Sequence, residues 1–331
     1  MAAVPTIARP HQDSDYSGLA RSMWRILKLR SSEASFAVRG FNQSKRAKRE
    51  HLETVGRTFV RGYNAALEAQ SASDPRQLVD TVDAELRGFA AEGASMGVAI
   101  RNSLSLSQTW LESAVGAFES DFDYLAHVGI GWAMARVPWR ARKYRSLLDP
   151  IHHWLTDDGR GFHDTYFNHK KVLAGWRRRL TGYSARPYDQ GVGRALWFVA
   201  GGEAADAAVL IAALPEERHS DLWSGLGLAM TYAGPADGDE ITRAFATAGI
   251  HRSHFAQGVA FACEARVKAR HVPAYTDLAA WSVWGVSAQE LSRLVRNARA
   301  QLQDIEGDVP RYELWRRSVA ASLSSATGQR S

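Results

Sequence analysis

One feature constrains this chain more than any other: a glycine set among small and apolar residues returns every thirty-odd positions. The segments are EGASMGVAI from Glu92, VGIGWAMARV from Val128, RGFHDTYF from Arg160, QGVGRALWFV from Gln190, SGLGLAMTYAG from Ser224 and QGVAFACEAR from Gln257. Aligned on Gly93, Gly129, Gly161, Gly191, Gly225 and Gly258, they stand 36, 32, 30, 34 and 33 residues apart by subtraction. That interval fits one helical hairpin per unit. Three units carry Gly-x-Gly-x-Ala, at Gly129, Gly191 and Gly225. No strand-like run precedes these glycines, so they read as a helix-packing device and not as a phosphate cradle. A glycine inside a helix costs about 1 kcal/mol relative to alanine, and close approach of neighbouring backbones is the reason that compensates.

Amphipathic segments fall between the glycine helices at Thr109 to Phe118, Leu147 to Leu155, Glu203 to Leu214 and Asp239 to Ala248. Their apolar residues recur at three and four, as in Ala207, Leu210, Ile211 and Leu214. Val38 to Gln70 reads as one or two helices. Asp277 to Val283 and Ala288 to Gln303 read as a closing pair capped by Asp277 and Ser287. The expectation is one all-α domain over 18–322, about six hairpins of 30 to 36 residues forming an α/α barrel or an α-solenoid-like arc. Residues 1–17 read as disordered and 323–331 as frayed.

Composition narrows the classes. An apolar share of 45% and a charged share of 23% are those of a folded globular chain. Arg194, Glu203 and Asp206 interrupt the longest apolar stretch, so no membrane span is expected. The N-terminus lacks a basic leader followed by an apolar core, and Cys263 is the only cysteine; both suit a cytoplasmic location. The net charge of +6 gathers at Lys45 to Arg49, Arg140 to Arg145 and Arg177 to Arg179. No nucleic-acid module accompanies it, so these read as solvated helix faces and no nucleic-acid partner is expected.

Several segments together resemble a known family: RGYNAAL (61–67), GFAAEGASMGVAI (88–100), HVGIGWAMAR (127–136), LDPIHHWLTDDGRGFHDTYF (148–167), YDQGVGRALWFV (188–199), DLWSGLGLAMTYAG (221–234) and HFAQGVAFACEAR (254–266). They are similar to a bacterial domain-of-unknown-function family whose members occur in enediyne natural-product gene clusters and are often labelled enediyne biosynthesis proteins. The resemblance covers about residues 35–300. It implies a pathway context, maturation of a polyketide-derived polyene, and supplies no catalytic residues.

If the glycine helices pack side by side, the residues beside each glycine face a common interior. Glu92, Gln190, Ser224 and Gln257 precede glycines directly, with His127, Asp189 and Trp223 one step further back. Polar groups at equivalent positions can line a pocket, although Asp189 and Ser224 also suit helix N-caps. His152, His153, Asp157, Asp158, His163 and Asp164 form the densest polar cluster. His163 and Asp164, adjacent on a helix, would point about 100° apart and not pair. A histidine near a carboxylate can act as general acid or base near neutral pH.

The expected function is a cofactor-independent acid–base enzyme, an isomerase or cyclase acting on a hydrophobic polyene or polyketide intermediate. His163, Asp164 and Asp189 are the candidate proton-handling residues. Glu92, His127, Trp132, Tyr166, Gln190, Trp223 and Gln257 are the candidate substrate contacts. No metal is expected, because His152 and His163 lack ligand spacing and a lone cysteine makes no thiolate cluster. Asp157-Asp158 followed by Gly-Arg-Gly departs from the aspartate motif of ionising terpene cyclases. The alternative is a non-catalytic binding, carrier or self-protection protein of the same pathway, with other pathway enzymes as further partners.

Overall fold

Alanine-, leucine- and glycine-rich stretches punctuated by proline and glycine turns give helices throughout. The computed structural model describes residues 26–71, 73–104, 109–302 and 307–328, and among them are sixteen α-helices and no strand. The expected disorder of residues 1–17 lies outside the described residues. In chain order the helices are α1 (Phe36–Arg39), α2 (Arg46–Glu68), α3 (Asp74–Asp80), α4 (Arg87–Ser103), α5 (Thr109–Phe118), α6 (Asp123–Arg136), α7 (Ala141–Arg145) and α8 (Leu155–Leu173). They continue as α9 (Ala185–Val199), α10 (Ala204–Ala212), α11 (His219–Ala233), α12 (Gly238–Thr247), α13 (Arg252–Lys268), α14 (Ala274–Trp284), α15 (Ala288–Ala300) and α16 (Arg311–Gly328). No described helix is long and apolar enough to cross a membrane.

The glycines decide which helices touch. A Cβ on Gly129 of α6 would lie 2.0 Å from the Glu92 carbonyl oxygen of α4, and one on Gly191 of α9 would lie 1.8 Å from that of Asp158 in α8. The same clash recurs between Gly159 and Val128, Gly225 and Gln190, and Gly258 and Ser224. In each case the carbonyl belongs to the residue just before the equivalent glycine of the preceding helix. The second glycine of each pair makes the reciprocal contact with the following helix: Gly131 meets Thr156, Gly161 meets Tyr188, Gly193 meets Leu222 and Gly227 meets Phe255. Helices α2, α4, α6, α8, α9, α11 and α13 therefore stack in order, each backbone seated against the next.

This geometry corrects the third unit. Its glycine pair is Gly159 and Gly161, so the residue equivalent to Gly129 and Gly191 is Gly159, two positions before the one aligned from sequence. The separations become 36, 30, 32, 34 and 33, and the residue preceding the third glycine becomes Asp158.

Other local readings also change. Leu147 to Leu155 is a turn followed by a short 3-10 helix (His152–Trp154) that leads into α8, and not an amphipathic α-helix of its own: the Asp149 carboxylate accepts from the Ile151 and His152 amides, both at 2.8 Å, and ties the chain into the turn. Asp189 and Ser224 lie inside α9 and α11 and cap nothing. Ser287 caps α15 in a capping box with Glu290, but Asp277 lies within α14 and accepts from the Ala288 amide at 2.8 Å, serving the next helix. Helix α16 runs to Gly328 and seats Tyr312, Trp315, Val319 and Leu323 in the core; of the C-terminal stretch expected to fray, residues 329–331 lie outside the described residues.

Contacts also join helices that are remote from one another in the stack. His51 of α2 reaches the Ala233 carbonyl at the end of α11 (2.7 Å), and Tyr124 of α6 donates to Glu264 of α13 (3.3 Å). Two apolar chambers lie inside.

If carbonyl contact is what excludes a side chain, Gly225→Ala should lower stability by about 1–3 kcal/mol or more, since the obstacle is backbone. Gly116→Ala, in α5 with open space around it, should raise stability by up to about 1 kcal/mol. Urea unfolding of both variants checks this; equal effects would remove the packing argument.

Candidate functional site

Because the carbonyl before a glycine, or the glycine itself as at Gly258, is pinned against a neighbouring helix, the side chains at those positions are pinned too. Five of them, Glu92, Asp158, Gln190, Ser224 and Gln257, are polar and buried. Gln190 donates to Asp158 Oδ2 at 2.8 Å, Ser224 Oγ lies 3.3 Å from Gln190 Oε1, and Ser224 donates to Gln257 Oε1 at 2.8 Å. Arg316 of α16 closes that end, 3.4 Å from Gln257 and 2.6 Å from Asp221. The structure thus brings Gln190, Ser224 and Gln257 into one buried seam, and adds Asp158.

At the other end stands Arg194, three residues after Gly191. Its guanidinium donates to Asp158 and lies 3.9 Å from Glu92 Oε2. Trp132 Nε1 donates to Glu92 Oε1 at 3.0 Å. The first chamber is walled by Phe59, Phe89, Trp132, Phe162, Tyr166 and Phe198, with Glu33, Glu92 and Arg194 as its charged or titrating side chains. The second is walled by Leu125, Val128, Leu155, Phe261 and Trp315, with Asp158 and Glu264. Arg194, Leu228 and Tyr232 belong to both walls.

Burial pushes the Glu92 carboxyl up to about 7; Arg194 pulls it down and Asp158 pushes it further up. Burial works against the Arg194 charge, and Asp158 and Glu92 more than restore it. The Tyr232 hydroxyl, set against Gly88, is buried without a hydrogen-bond partner, and burial raises its pKa. The site is therefore an Arg194–Asp158 ion pair beside a Glu92 carboxyl whose pKa is raised toward neutrality, inside aromatic walls.

The three residues read as proton handlers stand elsewhere. Asp164 receives Arg178 through both oxygens (2.8 and 2.7 Å) and the Tyr188 hydroxyl at 3.0 Å. His163 Nδ1 lies 3.3 Å from Asp164 Oδ1, so the two do pair, although adjacent positions on a helix point about 100° apart. Burial lowers the His163 pKa. Asp189 is held by Arg218 at 2.8 Å and Arg177 at 2.5 Å, with burial lifting its pKa to about 6. None of the three lines either chamber. Positions two before each glycine face away from the seam, which is why Asp157 meets Arg145 and Arg160, and Trp223 packs on Phe255.

His127, at the same offset, lines a separate polar crevice with His152, Asp123, Asp149, Lys268 and Arg299. Its Nδ1 donates to the Asp123 carbonyl at 2.7 Å, and Nε2 of both histidines is buried without a partner. Burial lowers both imidazole pKa values. Lys268 and Asp123 pair at 2.7 Å, and with Glu112, Glu119 and Asp149 against Arg299 the crevice holds more acidic than basic side chains. Among the described residues no three His, Cys, Asp or Glu side chains converge as a metal site requires.

Glu92, Trp132 and Tyr166, candidate substrate contacts from the sequence, all line the first chamber. Sequence reasoning missed Arg194, and it placed Asp158 in the polar cluster of residues 152–164 without seeing that it belongs to the series before the glycines. The signal for Arg194 was a lone charge in QGVGRALWFV, which demands a buried partner; the signal for Asp158 was the Gly-Arg-Gly pair that follows it.

A carboxyl with a higher pKa folded than unfolded loses stabilisation as pH rises between the two values. Glu92→Gln should therefore gain stability relative to the native chain between about pH 4.5 and about 7, by about 3 kcal/mol in all, and hold that gain above 7. Parallel curves in urea unfolding across this range would contradict the assignment.

Residues 19–323 match the model of a family described as "Protein of unknown function (DUF1702)", and the chain belongs to that family. No curated protein matches the chain, and no solved structure does.

Proposed function

We propose that this member of the DUF1702 family is a cofactor-independent enzyme that moves protons on a hydrophobic, unsaturated substrate, with Glu92 as the proton-handling group. One observation carries the reading: a wholly buried carboxyl with a pKa of about 7 stands beside Arg194 within an aromatic chamber. This reading moves the proton chemistry from His163, Asp164 and Asp189 to Glu92. The resemblance to proteins of enediyne gene clusters supplies the substrate class, a polyene or polyketide-derived intermediate, and the aromatic walls suit a conjugated chain.

The chemistry follows from the charges. Ionised Glu92 takes a proton from a carbon conjugated to a carbonyl. The Arg194 guanidinium stabilises the negative charge that develops on the carbonyl oxygen. Glu92, now protonated, returns the proton at another carbon of the conjugated system, so a double bond shifts; where the dienolate carbon instead adds to an electron-poor double bond of the same molecule, a ring closes and Glu92 protonates the enolate that this addition creates, with no net oxidation in either case. Near neutral pH both forms of Glu92 are populated, the condition under which one group serves as base and then acid. The apolar walls keep bulk water from quenching the intermediate.

The test has two parts. Purified protein is titrated with a conjugated polyenone, following Trp fluorescence; then Glu92→Gln replaces the native gene in the producing organism and accumulated polyenes are profiled by mass spectrometry. Binding should survive the substitution within a few-fold, while product falls by about 10²–10⁴. Retained binding with an unchanged product profile would make the protein a carrier or sequestering protein instead.

A further inference from the structure

Each chamber holds about 50 Å³ as it stands. A single water needs about 10–15 Å³, so each takes a short segment of a molecule and neither takes a polyketide-sized one. The chambers are not independent. The residues common to their walls are Arg194, Leu228 and Tyr232, and the carboxylates that Arg194 faces lie one on each side, Glu92 in the first chamber and Asp158 in the second. Of these three shared residues, Arg194 is a long side chain rotatable about several bonds, and its contact with Glu92, at 3.9 Å, is looser than a hydrogen bond.

Charge bears on what such a space accepts. Arg194 is already matched by Asp158, and Glu92 adds further negative charge when ionised. An anionic ligand group here would leave surplus buried negative charge, which is strongly disfavoured. An uncharged oxygen acceptor takes the remaining guanidinium donors without that penalty.

Resting on the reading of the first chamber as a ligand site, we propose that the two chambers are the halves of one binding channel. It takes an elongated, electrically neutral ligand with an uncharged carbonyl oxygen at Arg194 and an apolar arm in each chamber.

Side chains that reach only the second chamber separate this idea from the first. Val295→Phe and Ala265→Leu each enlarge a residue of the second wall that is absent from the first. The probes are a short trienone, sized for one chamber, and a long hexaenone with its carbonyl placed mid-chain. Binding is followed by polyene absorbance and Trp fluorescence, with circular dichroism melting to confirm folding. The native protein should bind the hexaenone at least about tenfold more tightly than the trienone. Both variants should abolish that advantage and leave the trienone within about threefold.

Unchanged hexaenone binding in folded variants, or a native protein that binds the short probe and gains nothing from the long one, would overturn the channel while leaving the first chamber's role standing. A native protein that binds neither probe would overturn both. A polyenoic acid of the hexaenone's length that binds as tightly as the ketone at pH 8 would overturn the requirement for a neutral ligand. If one variant fails to fold, the other still decides.

Discussion

The contact on which everything else depends is a glycine Cα seated against a carbonyl oxygen of the next helix. Side chains normally hold packed helices 8–10 Å apart. Removing the Cβ at matched positions lets α4, α6, α8, α9, α11 and α13 approach backbone to backbone, with hypothetical Cβ atoms falling about 2 Å from carbonyl oxygens. Since five of these carbonyls belong to residues directly before a glycine, the contact that sets helix spacing also sets where Glu92, Asp158, Gln190 and Ser224 stand, and Gln257 adjoins Gly258, itself seated on the Ser224 carbonyl. Packing and site are one geometric fact.

A buried charge placed by such a scaffold must find its partner inside it. Arg194 does so with Asp158, and removing one member of a pair of this kind costs about 3–5 kcal/mol because the other is left uncompensated. Glu92 is different in kind. Its ring-lined surroundings offer Trp132 Nε1 and a distant guanidinium, too little to hold it ionised, and burial lifts its pKa toward neutrality. The chain carries a destabilising ionisable group at its centre, an arrangement that makes chemical sense at a functional site and little sense elsewhere.

How much of this could be read in the sequence varies with the physics involved. Helix periodicity and the glycine interval are local patterns, and they gave the all-α class and the helices that carry the site. Register was harder: the third unit contains two glycines two residues apart, and choosing Gly161 over Gly159 hid Asp158 from the series to which it belongs. The densest polar run, His152 to Asp164, drew attention as chemistry, yet several of its members are neutralised by arginines remote in sequence, such as Arg178 on Asp164. Ion pairing across 14 or more residues leaves no periodic trace. Helix α16 was also missed, because its apolar face of Tyr312, Trp315, Val319 and Leu323 is interleaved with arginines and serines.

The reading of the site turns on one property, the protonation of Glu92 in an apolar chamber. Infrared difference spectroscopy on the native protein and on Glu92→Gln measures it directly. The account predicts a protonated-carboxyl C=O band present below neutrality, absent from the variant, and disappearing with a midpoint of about 7. A band that titrates near the ordinary glutamate value of about 4.3, or that persists in the variant, would contradict it.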